Sequence, residues 1–223
     1  MGIPVLILGE SGSGKSASLR NFRPEEVGII NVEGKPLPFR SGLKVYDCDQ
    51  YYDIKLEDGS TGVGIFTTVK GSRKKSIVID DVQYLMANEY MRRSGENGYQ
   101  KFTDIGKNFW ELVRLVPALD KSTIVYFLGH IERDQDGHEK FKTIGKLLDE
   151  KITVEGMFTI VLRAQVKDGT YTFRTQSNGL DTVKSPMGMF STLEIDNDLK
   201  LVDETIRSYY GLTPNNREEQ QDE

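Results

Sequence analysis

The stretch that most constrains this chain is a glycine-rich loop at residues 9–16, with the sequence Gly9-Glu10-Ser11-Gly12-Ser13-Gly14-Lys15-Ser16. It matches the pattern G-x-x-x-x-G-K-[ST], in which glycines let successive backbone N–H groups turn towards one anion. An apolar run from Ile3 to Leu8 precedes the loop, and residues 17–22 suit the first turns of a helix. Because strand, loop and helix follow in this order, the sequence predicts a phosphate-binding loop.

The loop predicts a bound nucleoside triphosphate with a magnesium ion. Lys15 would place a charge on the β- and γ-phosphates, and Ser16 would hold Mg²⁺ through its hydroxyl. We therefore predict ATP and Mg²⁺ as cofactors, bound by the loop and the residue after it: Gly9, Glu10, Ser11, Gly12, Ser13, Gly14, Lys15, Ser16 and Ala17. A chance match in a Gly/Ser-rich turn is disfavoured by the flanking strand and helix.

Length and composition favour a single soluble globular domain. The 223 residues suffice to bury a core, and 37% hydrophobic with 28% charged residues are ordinary values for such a domain. No run approaches 18 apolar residues, so no membrane-spanning helix is predicted, and the early loop leaves no room for a signal peptide. The one cysteine, Cys48, fits a reducing compartment, and we expect a cytoplasmic protein.

Apolar runs that alternate with amphipathic stretches predict the fold. Strands are expected at Val27–Val32, Ile77–Asp81 and Ile124–Leu128, and helices at Gln83–Arg93 and from Thr103 to Pro117. A turn signal at Lys167–Thr170 predicts a later hairpin, and apolar spacing from Leu199 to Tyr210 predicts a last helix. The fold class is therefore α/β, with a mainly parallel central sheet and an antiparallel C-terminal extension.

Two segments fall outside this alternation. Residues 43–70 are expected to form a β-rich insertion, with strands near Lys44–Asp47 and Tyr51–Leu56, and with Val63–Val69 pairing back. From Asn215 onwards four acidic residues accompany one arginine, which is typical of a disordered tail. We therefore predict one domain over residues 1–212 and an acidic tail over residues 213–223.

A pair of carboxylates is the natural partner of the loop. Asp80 ends the apolar run Ile77 to Ile79, and carboxyl ends of strands are where open α/β sheets bind ligands. We predict that Asp80 holds Mg²⁺ together with Ser16; the alternative is that it only caps the following helix. Asp81 stands where many P-loop ATPases have a water-orienting glutamate, and its side chain is one methylene shorter.

Two further strand ends resemble the RecA-core ATPases. Glu33, closing Asn31-Val32-Glu33, stands where these enzymes carry their catalytic glutamate, on a strand expected beside the phosphate-loop strand. The resemblance implies that Glu33 orients the attacking water. His130, closing the strand Ile124–Leu128, occupies the place of their polar residue that senses the γ-phosphate. RecA itself has a glutamine there, so the histidine is a departure. The alternatives are a solvated loop acid and an ordinary strand-end histidine.

The wider pattern resembles the phage-encoded RecA-core P-loop ATPases that work beside single-strand annealing proteins in recombination. It covers about residues 1–192 and includes two later Lys-containing segments, at residues 142–148 and 184–190. The resemblance implies a RecA-like ATPase domain, ATP-dependent binding of single-stranded DNA, stimulation of strand annealing, and a homo-oligomer, ring or filament. It also implies that Lys184 completes the ATP site of a neighbouring copy, the alternative being a surface lysine.

Single-stranded DNA is the predicted macromolecular partner, with a single-strand-binding or annealing protein beside it. Because the net charge is −5, a DNA site must be a local basic patch. Two segments qualify, Tyr90–Lys107 and Arg133–Lys146, and a solvated mixed-charge loop is the alternative for each. Their candidate DNA-binding side chains are Arg92, Arg93, Lys101, Arg133, Lys140, Lys142 and Lys146.

The combined prediction is a Mg²⁺-dependent ATPase with catalytic residues Lys15, Glu33, Asp80, Asp81, His130 and Lys184. One alternative is a small P-loop kinase, although no Arg-rich lid is evident. Another is a nucleotide-dependent binding module with little hydrolysis, which the shorter Asp81 keeps open. A hexameric AAA-type motor is disfavoured because no helical lid with an arginine sensor is evident.

Overall fold

The computed structural model describes residues 1–212, apart from the side chains of residues 149 and 150. The strands are β1 (Ile3–Gly9), β2 (Val27–Asn31), β3 (Val45–Asp47), β4 (Ile54–Lys55), β5 (Thr61–Gly62), β6 (Ser76–Asp80), β7 (Ile124–Arg133), β8 (Glu139–Phe141), β9 (Ile160–Lys167), β10 (Thr170–Arg174) and β11 (Glu194–Asp196). The α-helices are α1 (Ile65–Gly71), α2 (Tyr84–Arg92), α3 (Gln100–Leu115) and α4 (Leu199–Tyr209). The predicted acidic tail lies outside the described residues.

Within residues 1–212, nine strands form one sheet in the order β11-β10-β9-β1-β7-β6-β2-β3, with β8 paired to the end of β7. The six strands from β9 to β3 in this order pair in parallel, whereas β10 and β11 extend the sheet by antiparallel pairing. The predicted fold class is therefore confirmed. The order also places β7 between the phosphate-loop strand β1 and the Asp80 strand β6.

The parallel strands are apolar on both faces because helices cover both faces. In β1, Leu6 and Leu8 join a core with α1, α2 and α3, whereas Val5 and Ile7 join a second core with α4. All four side chains are almost completely buried. This burial explains why a continuous apolar run, and not an alternating one, predicts β1 correctly.

Helix α4 is anchored to the sheet by a buried ionic cluster at the amino ends of β6 and β7. The Asp203 carboxylate accepts hydrogen bonds from Ser76 (2.7 Å), Tyr126 (2.9 Å) and Arg207 (2.7 Å). Arg207 also donates to the carbonyl oxygens of Lys75 and Ser122. Because Ser76 and Tyr126 belong to the sheet and Arg207 bonds to the backbone beside it, this cluster fixes α4 against the amino ends of β6 and β7.

Two predicted elements differ from the structure. The run Val63–Val69 is not a strand, because Ile65–Gly71 forms α1. Ile65 and Val69 lie one helical turn apart and are both buried, so a helix buries this β-branched run better than an edge strand would. Strand β7 continues five residues beyond the predicted end at Leu128, because β8 folds back and pairs with Ile131–Arg133.

The strand predicted near Tyr51–Leu56 is reduced to the two residues Ile54–Lys55, whereas the later elements lie close to their predictions. Helices α2, α3 and α4 occupy the predicted stretches, and the hairpin β9–β10 turns at Asp168 and Gly169, whose φ angles are 50° and 76°. A positive φ at both central residues is the geometry that a two-residue hairpin needs. None of the helices in residues 1–212 is long and apolar enough to cross a bilayer.

Candidate ATP site

The glycine-rich loop joins the end of β1 to a short 3₁₀ helix, Ser16–Asn21. The sequence suggests a longer helix, but Phe22 is extended and Pro24 follows, which stops the helix after six residues. Within the loop, Gly12 and Gly14 have φ angles of 78° and 90°, which favour glycine. At Gly14 a side chain would also collide with the Tyr171 ring, because a Cβ there would lie 2.8 Å from its Cδ1.

Lys15 is the buried cation of the loop. Its ammonium donates to the carbonyl oxygens of Gly9 (3.0 Å) and Glu10 (2.9 Å), and the residue is only 6% exposed. Burial lowers the pKa of Lys15 to about 8, although the nearby carboxylates of Asp81 and Asp80 oppose the fall. Burial makes the charged form of Lys15 less stable. An anion such as a triphosphate bound beside the ammonium would offset this desolvation.

The titration of Lys15 predicts how polyphosphate binding depends on pH. The folded protein without ligand has Lys15 mostly charged below pH 8 and mostly neutral above it. Since only the ammonium attracts phosphate, tripolyphosphate affinity should fall by about tenfold per pH unit above about pH 8. Isothermal titration calorimetry in two buffers should also show proton uptake on binding at about pH 8.5. Lys15→Arg, which keeps its charge, serves as the control; a flat profile for the parent would contradict the assignment.

Asp80 and Ser16 supply oxygen donors beside Lys15. Asp80 is 7% exposed, and its Oδ1 has no hydrogen-bond partner among the described residues. Burial raises the pKa of Asp80, and a hydrogen bond from Ser16 partly offsets this rise. An unpartnered carboxylate oxygen next to a hydroxyl matches the ligands that Mg²⁺ prefers, so Ser16 and Asp80 fit the predicted metal. When bound, the ion would neutralise charge on the phosphates.

Asp81 lies beside these groups in an unusual backbone conformation, with φ of 60°. Its carboxylate contacts Lys35 Nζ at 3.0 Å and His130 Nε2 at 3.1 Å. Although burial opposes ionisation, hydrogen bonds from His130 and Lys35 lower the pKa of Asp81 to about 2. Asp81 is therefore a firmly ionised acceptor that orients its two partners, and a weak proton acceptor.

His130 connects Asp81 to the phosphate-loop strand. It lies within β7, not at its end as predicted, and its register partner on β1 is Gly9, the first residue of the loop. The His130 backbone N–H donates to Gln83 Oε1 at 3.2 Å. A histidine in this position can respond to charge at the loop and pass the change to Asp81 or along β7.

A family model described as an AAA domain matches residues 1–188. The chain belongs to this AAA domain family. No curated protein matches the chain. The family assignment makes it a P-loop ATPase domain, which agrees with the predicted class of enzyme; the expectation against a hexameric AAA-type motor stays a prediction. In the described residues, α4 follows the last strand and no helical lid is present.

The predicted position of Glu33 in this AAA domain needs correction. Its strand β2 does not lie beside β1, because β7 and β6 intervene. Three strand spacings separate β2 from β1, which amounts to roughly 14 Å. The Glu33 carboxylate is 3.4 Å from Asn88 Nδ2, and Lys35 two residues later pairs with Asp81. Glu33 thus borders the carboxylate cluster on its outer side, and its predicted role stays a prediction.

The sequence gives no sign of the ion-pair chain that runs from the loop across the sheet end. Glu10 pairs with Arg133 at 2.7 Å, Arg133 pairs with Glu139 at 2.8 Å, and Glu139 pairs with Arg163 at 2.6 Å. Hydrogen bonds from Arg163 chiefly lower the pKa of Glu139 to about 2, against the effect of burial. The hairpin formed by the end of β7 (from Ile131), the β7–β8 turn and β8 is called the arm. This series of ion pairs therefore links the phosphate loop of this AAA domain to its arm.

The two predicted DNA segments differ in the ion pairing and exposure of their basic side chains. In the first, Arg92 pairs with Asp49, and Arg93 pairs with Glu89, Glu96 and Asp104. Lys101 is 8% exposed, and its ammonium lies 2.8 Å from the carbonyl oxygen of Glu96. Lys101 therefore fastens the α2–α3 loop, and its placement argues against the predicted contact with DNA.

The second segment carries its cations on and after the arm. Arg133 belongs to the ion-pair chain, and Lys140 lies 3.4 Å from Glu132. Lys142 and Lys146 are exposed. The second segment therefore has three exposed arginine or lysine side chains (Arg133, Lys142 and Lys146), and the first has two (Arg92 and Lys107).

Lys184 lies on the other flank of the site. Its backbone N–H and carbonyl both pair with Val161 of β9, on the side of β9 away from β1. Val161 is paired with Leu6, three residues before the loop begins at Gly9. This position does not bring Lys184 to the phosphate loop of its own chain, and the predicted role across a subunit interface is untested.

Proposed function

We propose that this AAA domain is a RecA-type, Mg²⁺-dependent ATPase that binds single-stranded DNA and assists strand annealing in homologous recombination. The proposal includes a phage origin, work in the host cytoplasm, a homo-oligomer, and a single-strand-binding or annealing protein as partner. The carboxylates that follow β6 and β2, which are neighbouring strands, support a RecA-type site. The exposed lysines after the arm support contact with a polyanion.

In the proposed mechanism each group has one task. Lys15 and the loop N–H groups bind and orient the phosphates, and Ser16 and Asp80 hold the metal. Glu33 orients the attacking water. Asp81 keeps His130 in position, and His130 reports the charge at the loop to the arm.

The observation that carries the proposal is the Glu10–Arg133 ion pair, 2.7 Å long, between the phosphate loop and the arm. A triphosphate in the loop adds negative charge next to Glu10 and competes for Arg133. Any shift of Arg133 moves the strand end that leads to Lys140 and Lys142. Nucleotide binding and polyanion binding would therefore be coupled through one short contact.

The direct test is ATP hydrolysis with and without single-stranded DNA. We expect DNA to stimulate turnover several-fold, and Lys142→Ala to reduce the DNA-dependent increment. Removing one phosphate contact should also reduce the slope of log affinity against log salt by about 0.7 for an oligothymidine. Lys70→Ala, an exposed lysine at the end of α1, serves as the matched control. No stimulation, together with no oligothymidine binding, would refute the DNA part of the proposal.

A second function is favoured by one observation, the contacts of the Asp81 carboxylate with Lys35 (3.0 Å) and His130 (3.1 Å), which make Asp81 a weak base. If Glu33 does not act on water, the site lacks an effective base, and ATP would only set conformation. A single-turnover measurement distinguishes the two functions. A binding module would retain ATP over many minutes, whereas an ATPase would release phosphate.

A further inference from the structure

Lys35 brings a positive charge from the end of β2 to the end of β6. It lies in the loop after β2, and its ammonium is 3.0 Å from a carboxylate oxygen of Asp81, the residue that follows β6. The same ammonium lies over the Tyr84 ring, 5.2 Å from the ring centroid. These two contacts define an extended lysine side chain that crosses from one strand end to the next.

The backbone of Lys35 is held in place by a buried amide. Asn31, the last residue of β2, is 6% exposed, and its Nδ2 donates to the Lys35 carbonyl oxygen at 2.6 Å. Its Oδ1 accepts a hydrogen bond from the backbone N–H of Glu33 at 3.2 Å. Gly34 has a φ of 64°, which glycine adopts without strain. Because Asn31 is also the register partner of Asp80, the loop is fixed beside the proposed metal ligand.

The Lys35 ammonium lies on the side of the site that belongs to the terminal phosphate. In P-loop ATPases the metal bridges the β- and γ-phosphates, and Asp80, its proposed ligand here, directly precedes Asp81. Lys15 is near as well. Burial is the main cause of the low pKa of Lys15, and the charges of Arg163 and Lys35 lower this pKa further. Lys15 and Lys35 are therefore close enough to act on one triphosphate from two sides.

The pairing of Lys35 with Asp81 can be exchanged for another partner. The Lys35 side chain is 58% exposed, and an ion pair with a lysine so open to water contributes little to stability. A terminal phosphate carries more negative charge than one carboxylate, so it competes well for the ammonium. Asp81 would retain its contact with His130 Nε2 at 3.1 Å, so its carboxylate is not left without a partner when Lys35 moves.

We propose that Lys35 leaves Asp81 when a triphosphate binds, contacts the terminal phosphate from the β2 side, and stabilises the negative charge there during hydrolysis. The inference rests on the proposed function. In hydrolysis, water adds to the γ-phosphorus as the bond to the ADP oxygen breaks, which yields ADP, phosphate and a proton; Lys35 binds phosphoryl oxygens and keeps its own proton. ADP ends at the β-phosphate and would leave Lys35 on Asp81. Because this cation comes from the same chain, its action requires no neighbouring copy.

The test compares the affinities for ADP and for the non-hydrolysable β,γ-imido analogue of ATP, both with Mg²⁺, in the parent and in Lys35→Met. Methionine retains the apolar stem of lysine and removes its charge. We expect the ratio of analogue to ADP affinity to fall by about tenfold or more, with the affinity for ADP unchanged. Single-turnover hydrolysis should fall by about a hundredfold or more, and Lys35→Arg should retain most of it. Lys55→Met, an exposed lysine in β4, is the matched control.

A structural role for Lys35, as no more than the partner of Asp81, predicts a different result. In that case Lys35→Met should have no further effect in an Asp81→Asn background, whereas a lysine that binds phosphate should still be missed there. The affinity ratio requires no turnover, so it can be measured even if Asp81→Asn does not hydrolyse ATP. A parent-like ratio in Lys35→Met, or a loss that vanishes with Asp81→Asn, would overturn the inference and leave the phosphate site intact. A parent that binds neither nucleotide would overturn the proposed function itself.

Discussion

Replacing Lys15 by alanine is expected to weaken ATP binding by at least about a hundredfold and to abolish hydrolysis. The ammonium is the buried cation of the loop, and charge-assisted hydrogen bonds to phosphate are worth about 1.5–3 kcal/mol each. Its loss also leaves the carbonyl oxygens of Gly9 and Glu10 facing an anion. Calorimetric titration with Mg²⁺-ATP and a phosphate-release assay measure the two effects.

The control for this substitution is Lys121→Ala, an exposed lysine in the turn before β7. Thermal unfolding followed by circular dichroism checks that both variants are folded. Should Lys15→Ala hydrolyse ATP as fast as the parent, the assignment of the site to the glycine-rich loop would be wrong.

The substitution Glu33→Gln should slow single-turnover hydrolysis by about 10²- to 10⁴-fold while ATP affinity stays within about twofold. This range is what a positioned general base contributes, and glutamine keeps the shape of the side chain without its charge. Asp81 is a poor substitute base, because hydrogen bonds from His130 and Lys35 lower its pKa to about 2 against the effect of burial. Rapid-quench measurement of phosphate release under single-turnover conditions tests the expectation.

Glu57→Gln, an exposed acid between β4 and β5, is the matched control for the loss of one negative charge. Asp81→Asn provides the comparison within the site. Full turnover in Glu33→Gln combined with a strong defect in Asp81→Asn would assign the base to Asp81. That result would also show that the distance of β2 from β1 matters more than the resemblance suggests.

The parts of the site that lie close together in sequence could be predicted. The loop, its strand and Lys15 form one continuous stretch, and Asp80 follows a buried apolar run, so local pattern was sufficient. The pairing of Asp81 with Lys35 could not be predicted, because it depends on β6 and β2 being neighbours. Apolar runs identify strands but contain no information on their order in the sheet. The misplacement of Glu33 beside β1 has the same cause.

The errors in secondary structure have a different origin. The run from Val63 to Val69 is β-branched and favours a strand locally, but the core beneath it accepts a helical face through Ile65 and Val69. Tertiary burial outweighs the intrinsic preference of such residues. The sequence did not indicate that the Asn197 amide would be buried without a hydrogen-bond partner, since an asparagine before a helix cap is ordinary.

Anchoring α4 by the Asp203 cluster has a practical consequence for experiments on this protein. The helix is about 16 Å long and runs from the turn at the phosphate loop to the amino ends of β6 and β7. It therefore spans the face of the sheet from the carboxyl ends of the strands, where the phosphate loop lies, to their amino ends. A fluorophore or surface tether attached near the carboxyl end of α4 would lie at the amino ends of the strands. It would leave the phosphate loop and the arm, which follow the carboxyl ends of the strands, unobstructed. Such a label would allow the proposed assembly on single-stranded DNA to be tested without altering the groups that are proposed to bind nucleotide.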